Sequence, residues 1–357
     1  MLEWPTVRNT ASGRLSGRPG CCLTFTNSCG PDRKLVSSTN SRVVVTKVLC
    51  MRLQAVPSGM PQPPGSSEQV LPRLLADGVT WGDSSIWLPK LPTGGVDLFF
   101  TSPPYADARA YSRIHPDRYV EWFLPFARAM YDATSDTGSL VINIKNRVAK
   151  SGPLKGQRHP YVYQLVIALQ NMGWRWLETY IWAKPNAVPG RFGPRTKDAY
   201  EYVYHFARGP RPYFDLDAIR VPYKTTTAEI ERRKLDVNGR RNTTAGFGRD
   251  RTTTYLRGGA DPGNVINVSQ TYNQHYGVAH TAAMPEGLAS FFIKATSPKN
   301  AVVIDPFAGG GTTVVVARRL GRRAGGLELH QEFITEARRR VAADEDNDIP
   351  GGLVDVG

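Results

Sequence analysis

The sequence predicts an open α/β fold: a mostly parallel sheet with helices on both faces, preceded by a basic arm and interrupted by one long insertion. Three observations carry that prediction. From about residue 66 onward, apolar runs of strand length alternate with stretches of helical period. Two of the runs end in distinctive turns: Ser102-Pro103-Pro104-Tyr105, whose prolines can neither continue a strand nor start a helix interior, and Asp305 through Thr313, a glycine-rich passage into a helix. Between them, residues 222–262 lose the alternation and become polar and basic.

The elements follow in chain order. Residues 1–65 are rich in Ser, Gly, Thr, Arg and Pro, carry eight basic residues against two acidic ones, and end in Pro61-Gln62-Pro63-Pro64-Gly65. Such a segment buries too little apolar surface to offset its ordering entropy, and is expected to be a disordered arm. It reads either as a phosphate-gripping tail or as an extension upstream of a start at Met51 or Met60. Trp81-Gly82-Asp83-Ser84 precedes a short amphipathic turn, and the opening strand is expected at 96–100, Val-Asp-Leu-Phe-Phe. Tyr119, Phe123, Phe126, Ala127 and Met130 recur at helical spacing, with a kink expected at Pro125 and an end at Gly138. Leu140–Ile144 reads as a strand, and Leu165, Val166, Leu169 and Met172 as a helix closed by Gly173. Strands follow at 180–182 and 201–206, where an antiparallel hairpin is expected near the sheet edge. In 222–262, nine basic residues stand against five acidic, among two runs of three threonines. Arg and Thr suit phosphate and base-edge contacts, so this insertion is a candidate target-recognition region, with a plain solvated loop as the alternative. After Pro285 a helical face (Leu288, Phe291, Phe292, Ala295) leads to a strand at 301–304, a helix through Val315, Val316 and Leu320, and a strand at 324–329. The expected divisions are 66–221 for one half of the α/β domain, 263–345 for the other, and a flexible tail at 346–357.

Composition narrows the function classes. The formal net charge of +14 favours a polyanionic partner, nucleic acid foremost. The four cysteines (Cys21, Cys22, Cys29, Cys50) lie in the first fifty residues with no C-x-x-C pair, which excludes a disulfide framework for the core and fits a reducing compartment. A zinc site built from them is a minor alternative, and no metal is expected. No apolar run approaches membrane-spanning length, so an intracellular, cytoplasmic protein is expected.

The chemistry lies in the two turns. At the first, a hydroxyl, a rigidly held carbonyl and an aromatic ring stand together at a strand tip, the edge where open α/β sheets bind ligands. A mere strand stop with Tyr105 packed inside is the alternative. At the second, Asp305-Pro306-Phe307-Ala308-Gly309-Gly310-Gly311-Thr312-Thr313 runs from strand to helix, and glycine lets the backbone approach a ligand closely. Glu328 ends the next strand, about twenty residues on, where a carboxylate can hold the hydroxyls of an adenosine ribose. The loop lacks the lysine of a phosphate-binding P-loop, and position 314 is valine where a dinucleotide fingerprint needs glycine. Asp305 at the loop mouth suits an ammonium group, so the indicated ligand is S-adenosylmethionine.

Together the two stretches resemble the β-class amino-methyltransferases of DNA. That family carries [D/N/S]-P-P-[Y/F/W] ahead of D-x-F-x-G-x-G-T, with the target-recognition region between. Here Ser102–Tyr105 precedes Asp305–Thr312 in the same order. Further similar stretches are Gly82-Asp83-Ser84, Trp182 through Asn186, Tyr213-Phe214-Asp215 with Ala218-Ile219-Arg220, Asp261 through Val265, and His280 through Leu288. The resemblance spans about residues 78–340. It implies the Rossmann-like class I methyltransferase fold with a circularly permuted motif order, and S-adenosylmethionine as cofactor. It implies also that Ser102, Pro103, Pro104 and Tyr105 form the catalytic turn: the Ser102 hydroxyl and Pro103 carbonyl would accept both amine hydrogens, and Tyr105 would stack on a flipped base. For the cofactor it implies Asp305, Pro306, Phe307, Ala308, Gly309, Gly311, Thr312, Thr313 and Glu328, with Asp83 a weaker candidate that reads equally as a helix cap.

Serine at 102 points to cytosine N4 over adenine N6, because within that family serine goes mostly with cytosine. Candidates for DNA contact are Lys184, Asn186, Arg191, Arg195, Arg249 and Arg251, each of which also reads as a plain surface charge or amide. The expected activity is site-specific methylation of cytosine N4 in double-stranded DNA, in a restriction–modification or epigenetic role. A cognate restriction endonuclease is a functional partner, and the protein is expected as a monomer or homodimer associated with the nucleoid. The rivals are an adenine-N6 enzyme of the same fold, an RNA amino-methyltransferase, and a catalytically silent DNA-binding module.

Overall fold

Among the described residues eight strands, most of them rich in β-branched and aromatic residues, form one sheet. In the computed structural model, residues 59–107, 114–187, 189–190, 193–222, 258–270 and 284–345 are described. The strands are β1 (Val79–Trp81), β2 (Val96–Thr101), β3 (Thr134–Ile144), β4 (Arg175–Ala183), β5 (Tyr200–Ala207), β6 (Val265–Asn267), β7 (Val302–Asp305) and β8 (Arg323–Glu328). Their spatial order is β1-β8-β7-β2-β3-β5-β4-β6. Every neighbouring pair is parallel except those that β5 makes with β3 and β4. The hairpin expected at 180–206 is therefore present, and it lies one strand in from the edge.

Helices cover both faces. On one face α3 (Pro116–Ala133) and α4 (Tyr161–Met172) bury Tyr119, Phe123, Met130, Tyr161 and Leu165 against Phe99, Leu140 and Ile142 of the sheet. Also on this face are Val70 and Leu74 of α1 (Ser67–Asp77) and Trp87 of the single turn α2 (Ser84–Trp87). On the other face α5 (Glu286–Thr296), α6 (Thr312–Arg319) and α7 (Gln331–Glu345) pack Phe292, Val315 and Ala337 against Leu98, Phe100 and Val303. Burial of these apolar stripes drives assembly, at roughly 1.5–3 kcal/mol for each large side chain removed from water.

The sequence reading needs three amendments. The opening strand is β1, a three-residue segment too short for its period to register, and it pairs with β8 rather than with β2. The helix before β3 ends at Ala133, not at Gly138, and runs through Pro125. Gly138 lies inside β3, where a β-carbon would meet Asp97 O at 2.9 Å and Thr134 Cγ2 at 2.6 Å. It is a strand glycine at the irregularity between β2 and β3, which permits a close backbone approach. The third concerns the two halves drawn from the sequence. They interleave in space, since β1 joins the β7–β8 end while β6 joins β4 at the opposite edge.

The ends of the polar insertion meet. Val221 and Ala260 exchange backbone hydrogen bonds of 3.0 and 2.8 Å. Residues 223–257, with the 1–58 and 346–357 segments, lie outside the described residues. Among the described residues no helix is long and apolar enough to cross a membrane.

Gly325 sets how closely α1 can approach β8. A β-carbon there would meet Leu74 O at 2.5 Å. Gly325→Ala is expected to destabilise the protein by about 1–3 kcal/mol through overpacking. A lowered urea midpoint with an unchanged slope would show it, and an unchanged midpoint would refute it.

Candidate active site

The site forms where the sheet changes winding direction. From β7 the chain crosses through α6 to β8 on one side, while from β2 it crosses through α3 to β3 on the other. Parallel neighbours β2 and β7 are in register at Leu98–Val303 and Phe99–Ile304. Their carboxyl ends therefore flank one crevice, as the topology of open α/β sheets requires. The serine turn follows β2 and the glycine turn follows β7.

One contact joins the turns directly. The Thr101 hydroxyl donates to Asp305 Oδ1 at 2.6 Å, and the Phe307 amide donates to the same oxygen at 3.0 Å. Both residues are buried, Asp305 to 3 % exposure. Burial pushes the Asp305 carboxyl up to about 6, against the lowering effect of those hydrogen bonds. The sequence assigned no role to Thr101, because a threonine closing a strand has no chemical signature of its own.

The glycine turn is held from three sides. Gly309 and Gly311 take positive φ of 51° and 77°, and Gly311 opens α6. The Gly309 amide donates to Glu328 Oε2 at 2.8 Å and the His330 amide to Glu328 Oε1 at 2.7 Å. Burial raises the Glu328 carboxyl to about 7. Gly326 has no room for a β-carbon, which would stand 2.7 Å from Ala308 Cβ. Arg340 on α7, buried to 7 % exposure, donates to Gly310 O at 2.6 Å and to Thr312 Oγ1 at 3.2 Å. From the β1 side, Ser84 Oγ donates to Pro306 O and Gly82 N to Glu328 O. Phe307 lies against Trp122, Phe123 and Phe126 of α3, with ring centroids 5.2–6.3 Å apart.

These groups fit an adenosine cofactor with a cationic end. The turn offers two buried carboxylates, a glycine backbone that tolerates close approach, and no lysine. Beyond the backbone amides that it accepts, the Glu328 carboxylate retains acceptor capacity for a diol hydroxyl. Pro306, Ala308, Thr312 and Thr313 are buried beneath the turn and shape it. Asp83, 8 % exposed, accepts from Ser85 N at 2.8 Å and caps α2. Of its two sequence readings, the geometry supports the cap. Among the described residues no cluster of His, Cys, Asp and Glu could hold a metal ion.

At the serine turn, Pro103 is buried while Ser102, Pro104 and Tyr105 are half-buried. Ser102 Oγ lies 3.1 Å from the Tyr105 hydroxyl, which donates to Glu201 Oε2 at 2.6 Å. Burial first, then the Glu201 charge, raises the Tyr105 hydroxyl well above its ordinary range, so it stays a neutral donor. The tyrosine expected to stack on a base is thus also anchored at its polar end.

The candidate DNA contacts fall differently from expectation. Lys184 is corrected: it is 5 % exposed, ion-paired with Glu201 and 4.1 Å over the Trp182 ring, which leaves it no reach to a phosphate. Desolvation lowers its pKa and the Glu201 charge opposes that. Asn186 exchanges two hydrogen bonds with the Gln270 backbone, at 2.9 and 2.7 Å, and Arg195 is exposed and donates to Gly156 O. Arg191, Arg249 and Arg251 lie outside the described residues.

The fold and the paired turns define a methyltransferase of the class I type acting on base amino groups. A DNA methylase family model, of N6/N4 type, matches residues 96–339, and the chain belongs to that family, the β-class amino-methyltransferases of DNA. It is similar to the type II methyltransferase M.PvuII of Proteus hauseri, at 27% identity over 71% of this chain and 80% of the relative. Similarity to M.ScaI of Streptomyces caespitosus is 28% over 74% of this chain and 80% of the relative. Similarity to M.SfiI of Streptomyces fimbriatus is 25% over 71% and 88%. Among solved structures, the cytosine-N4-specific PvuII DNA methyltransferase shares the fold, with a TM-score of 0.57 and 24% identity over 76% of this chain and 87% of that one.

The two buried acids make a pH prediction. Each has a folded pKa above its unfolded value, so the folded chain binds more protons in between and stability falls as pH rises. The window is 3.8 to about 6 for Asp305 and 4.5 to about 7 for Glu328. Glu328→Gln is expected to flatten the upper part of that loss in the ligand-free protein. Melting temperatures of both proteins across the window check it, and parallel curves would refute it.

Proposed function

We propose that the protein methylates the exocyclic N4 amine of a cytosine in duplex DNA at a specific sequence, with S-adenosylmethionine as methyl donor. The observation that carries this reading is the Thr101–Asp305 hydrogen bond, which ties the serine turn to the glycine turn across adjacent parallel strands. A cationic donor at Asp305 and an amine at Ser102 then share one crevice. When bound, S-adenosylmethionine supplies a methyl group already activated by its sulfonium.

The chain's own residues do the rest. The amine of cytosine is a poor nucleophile because its lone pair is delocalised into the ring. Ser102 Oγ and the Pro103 carbonyl accept its two hydrogens and free that lone pair, an interaction stronger in the transition state than in the ground state. The consecutive prolines fix the carbonyl direction. Tyr105 offers its ring to a base rotated out of the duplex, since a stacked base cannot reach the donor. Asp305 holds the ammonium end, Glu328 the ribose hydroxyls, and Phe307 with its α3 aromatics an apolar wall.

Serine at 102 and likeness to a protein named as cytosine-N4-specific favour N4 over adenine N6. A net charge of +14 suits the DNA backbone, and the 222–262 segment is assigned to target recognition. Relatives named type II methyltransferases support a restriction–modification role with a cognate endonuclease.

Nucleosides from unmethylated genomic DNA incubated with the protein and S-adenosylmethionine, read by mass spectrometry, test the proposal. N4-methylcytosine is expected, and N6-methyladenine in its place would move the target base. Ser102→Ala is expected to lower the rate by about 10²–10³, the usual loss of one transition-state hydrogen-bond partner. No product from either protein would mean a silent DNA-binding module.

A further inference from the structure

Behind the serine turn lies a buried polar chain that the motif does not include. Glu201 on β5 is 6 % exposed, Lys184 5 % and Asn143 1 %. The Lys184 ammonium pairs with Glu201 Oε1, and Glu201 Oε2 accepts from the Tyr105 hydroxyl at 2.6 Å. Asn143 Nδ2 donates to that oxygen and to Tyr202 O, both at 3.2 Å, and its own Oδ1 lies 3.2 Å from the Tyr105 hydroxyl.

The direction of each bond can be deduced. An ion-paired carboxylate and an amide oxygen both only accept, so the single Tyr105 proton is directed at Glu201 Oε2 and Asn143 Oδ1. The phenol oxygen then has only lone pairs for Ser102, at 3.1 Å, and the serine proton must point toward it. That leaves the Ser102 lone pairs for a further donor. An acceptor for an amine N–H needs this orientation. With the serine proton turned outward, the hydroxyl would repel the amine hydrogens instead of binding them.

We infer that Glu201 is a positioning residue, which through the Tyr105 hydroxyl fixes Ser102 as a hydrogen-bond acceptor for the target amine, with Lys184 as its ion-pair partner. This rests on the proposed methyl transfer and extends it. Chains of aligned hydrogen bonds also polarise one another, so the ion pair strengthens Ser102 as an acceptor. Lys184, a candidate DNA contact by sequence, acts here two bonds behind the turn.

A double-mutant cycle on the full chain tests the inference, with tritiated S-adenosylmethionine and unmethylated genomic DNA as probes. Tyr105→Phe removes one oxygen and breaks the chain. Glu201→Gln keeps the shape but can present an N–H to Tyr105. Because it strands a buried ammonium, the paired variant Lys184→Met/Glu201→Gln is measured beside it. Each is expected to lower kcat roughly ten- to a hundredfold with KM for the cofactor within about twofold. Added to Tyr105→Phe, the Glu201 changes are expected to cost less than about threefold more, since the link they act through is already gone. Multiplying effects, or an unchanged kcat in Tyr105→Phe, would overturn the inference. The underlying reading is separable. If wild type methylates and Ser102→Ala does not, the reading stands whatever the cycle shows, and if wild type leaves DNA unmodified, the reading itself fails.

Discussion

A buried carboxylate accepting from a buried hydroxyl, Asp305 from Thr101, is the contact on which the rest of the structure depends. It forms only because β2 and β7, far apart in the chain, run parallel as neighbours in the sheet. Two terminal residues of adjacent strands then meet, and the loops that follow them share an entrance. In a dry setting the charge at Asp305 has few compensations, which is why burial raises its pKa. A cation brought to the crevice would relieve that penalty. The fold therefore holds an acid in the crevice at a cost to its own stability.

Glu328 follows the same logic one strand further out. Its oxygens are caught by the Gly309 and His330 amides, so the acid orders the glycine turn while still retaining acceptor capacity. Arg340 secures the other side of the turn by taking the Gly310 carbonyl. A loop rich in glycine would otherwise lose much entropy on ordering. Two side chains, from β8 and α7, offset that loss by holding it on both flanks.

A polar cluster of Asn143, Lys184 and Glu201 is buried at the β3–β5–β4 end, among apolar neighbours. A buried ion pair such as Lys184–Glu201 often adds little net stability, because desolvation consumes much of the attraction. Its position explains its presence better than stability does. The carboxylate stands between an ammonium and a phenol that also meets Ser102 and Asn143. Rigid, satisfied polar groups behind the serine turn hold its geometry.

The sequence by itself determined the two turns and most strands and helices, because prolines, glycines and apolar period are local signals. Ser102-Pro103-Pro104-Tyr105 and Asp305 through Thr312 could be read without coordinates, and so could the acid at the end of β8. It did not reveal β1, three residues long, or place Gly138 within a strand, since neither leaves a periodic trace. Only the tertiary structure decided which residues stand behind the motif. Thr101, Arg340, Asn143 and Glu201 carry no local pattern of their own. Their roles come from strand order and register, long-range pairings that are fixed when the whole sheet closes. Lys184 shows the difference most plainly: a surface cation by composition, it is turned inward because β5 sets Glu201 within its reach.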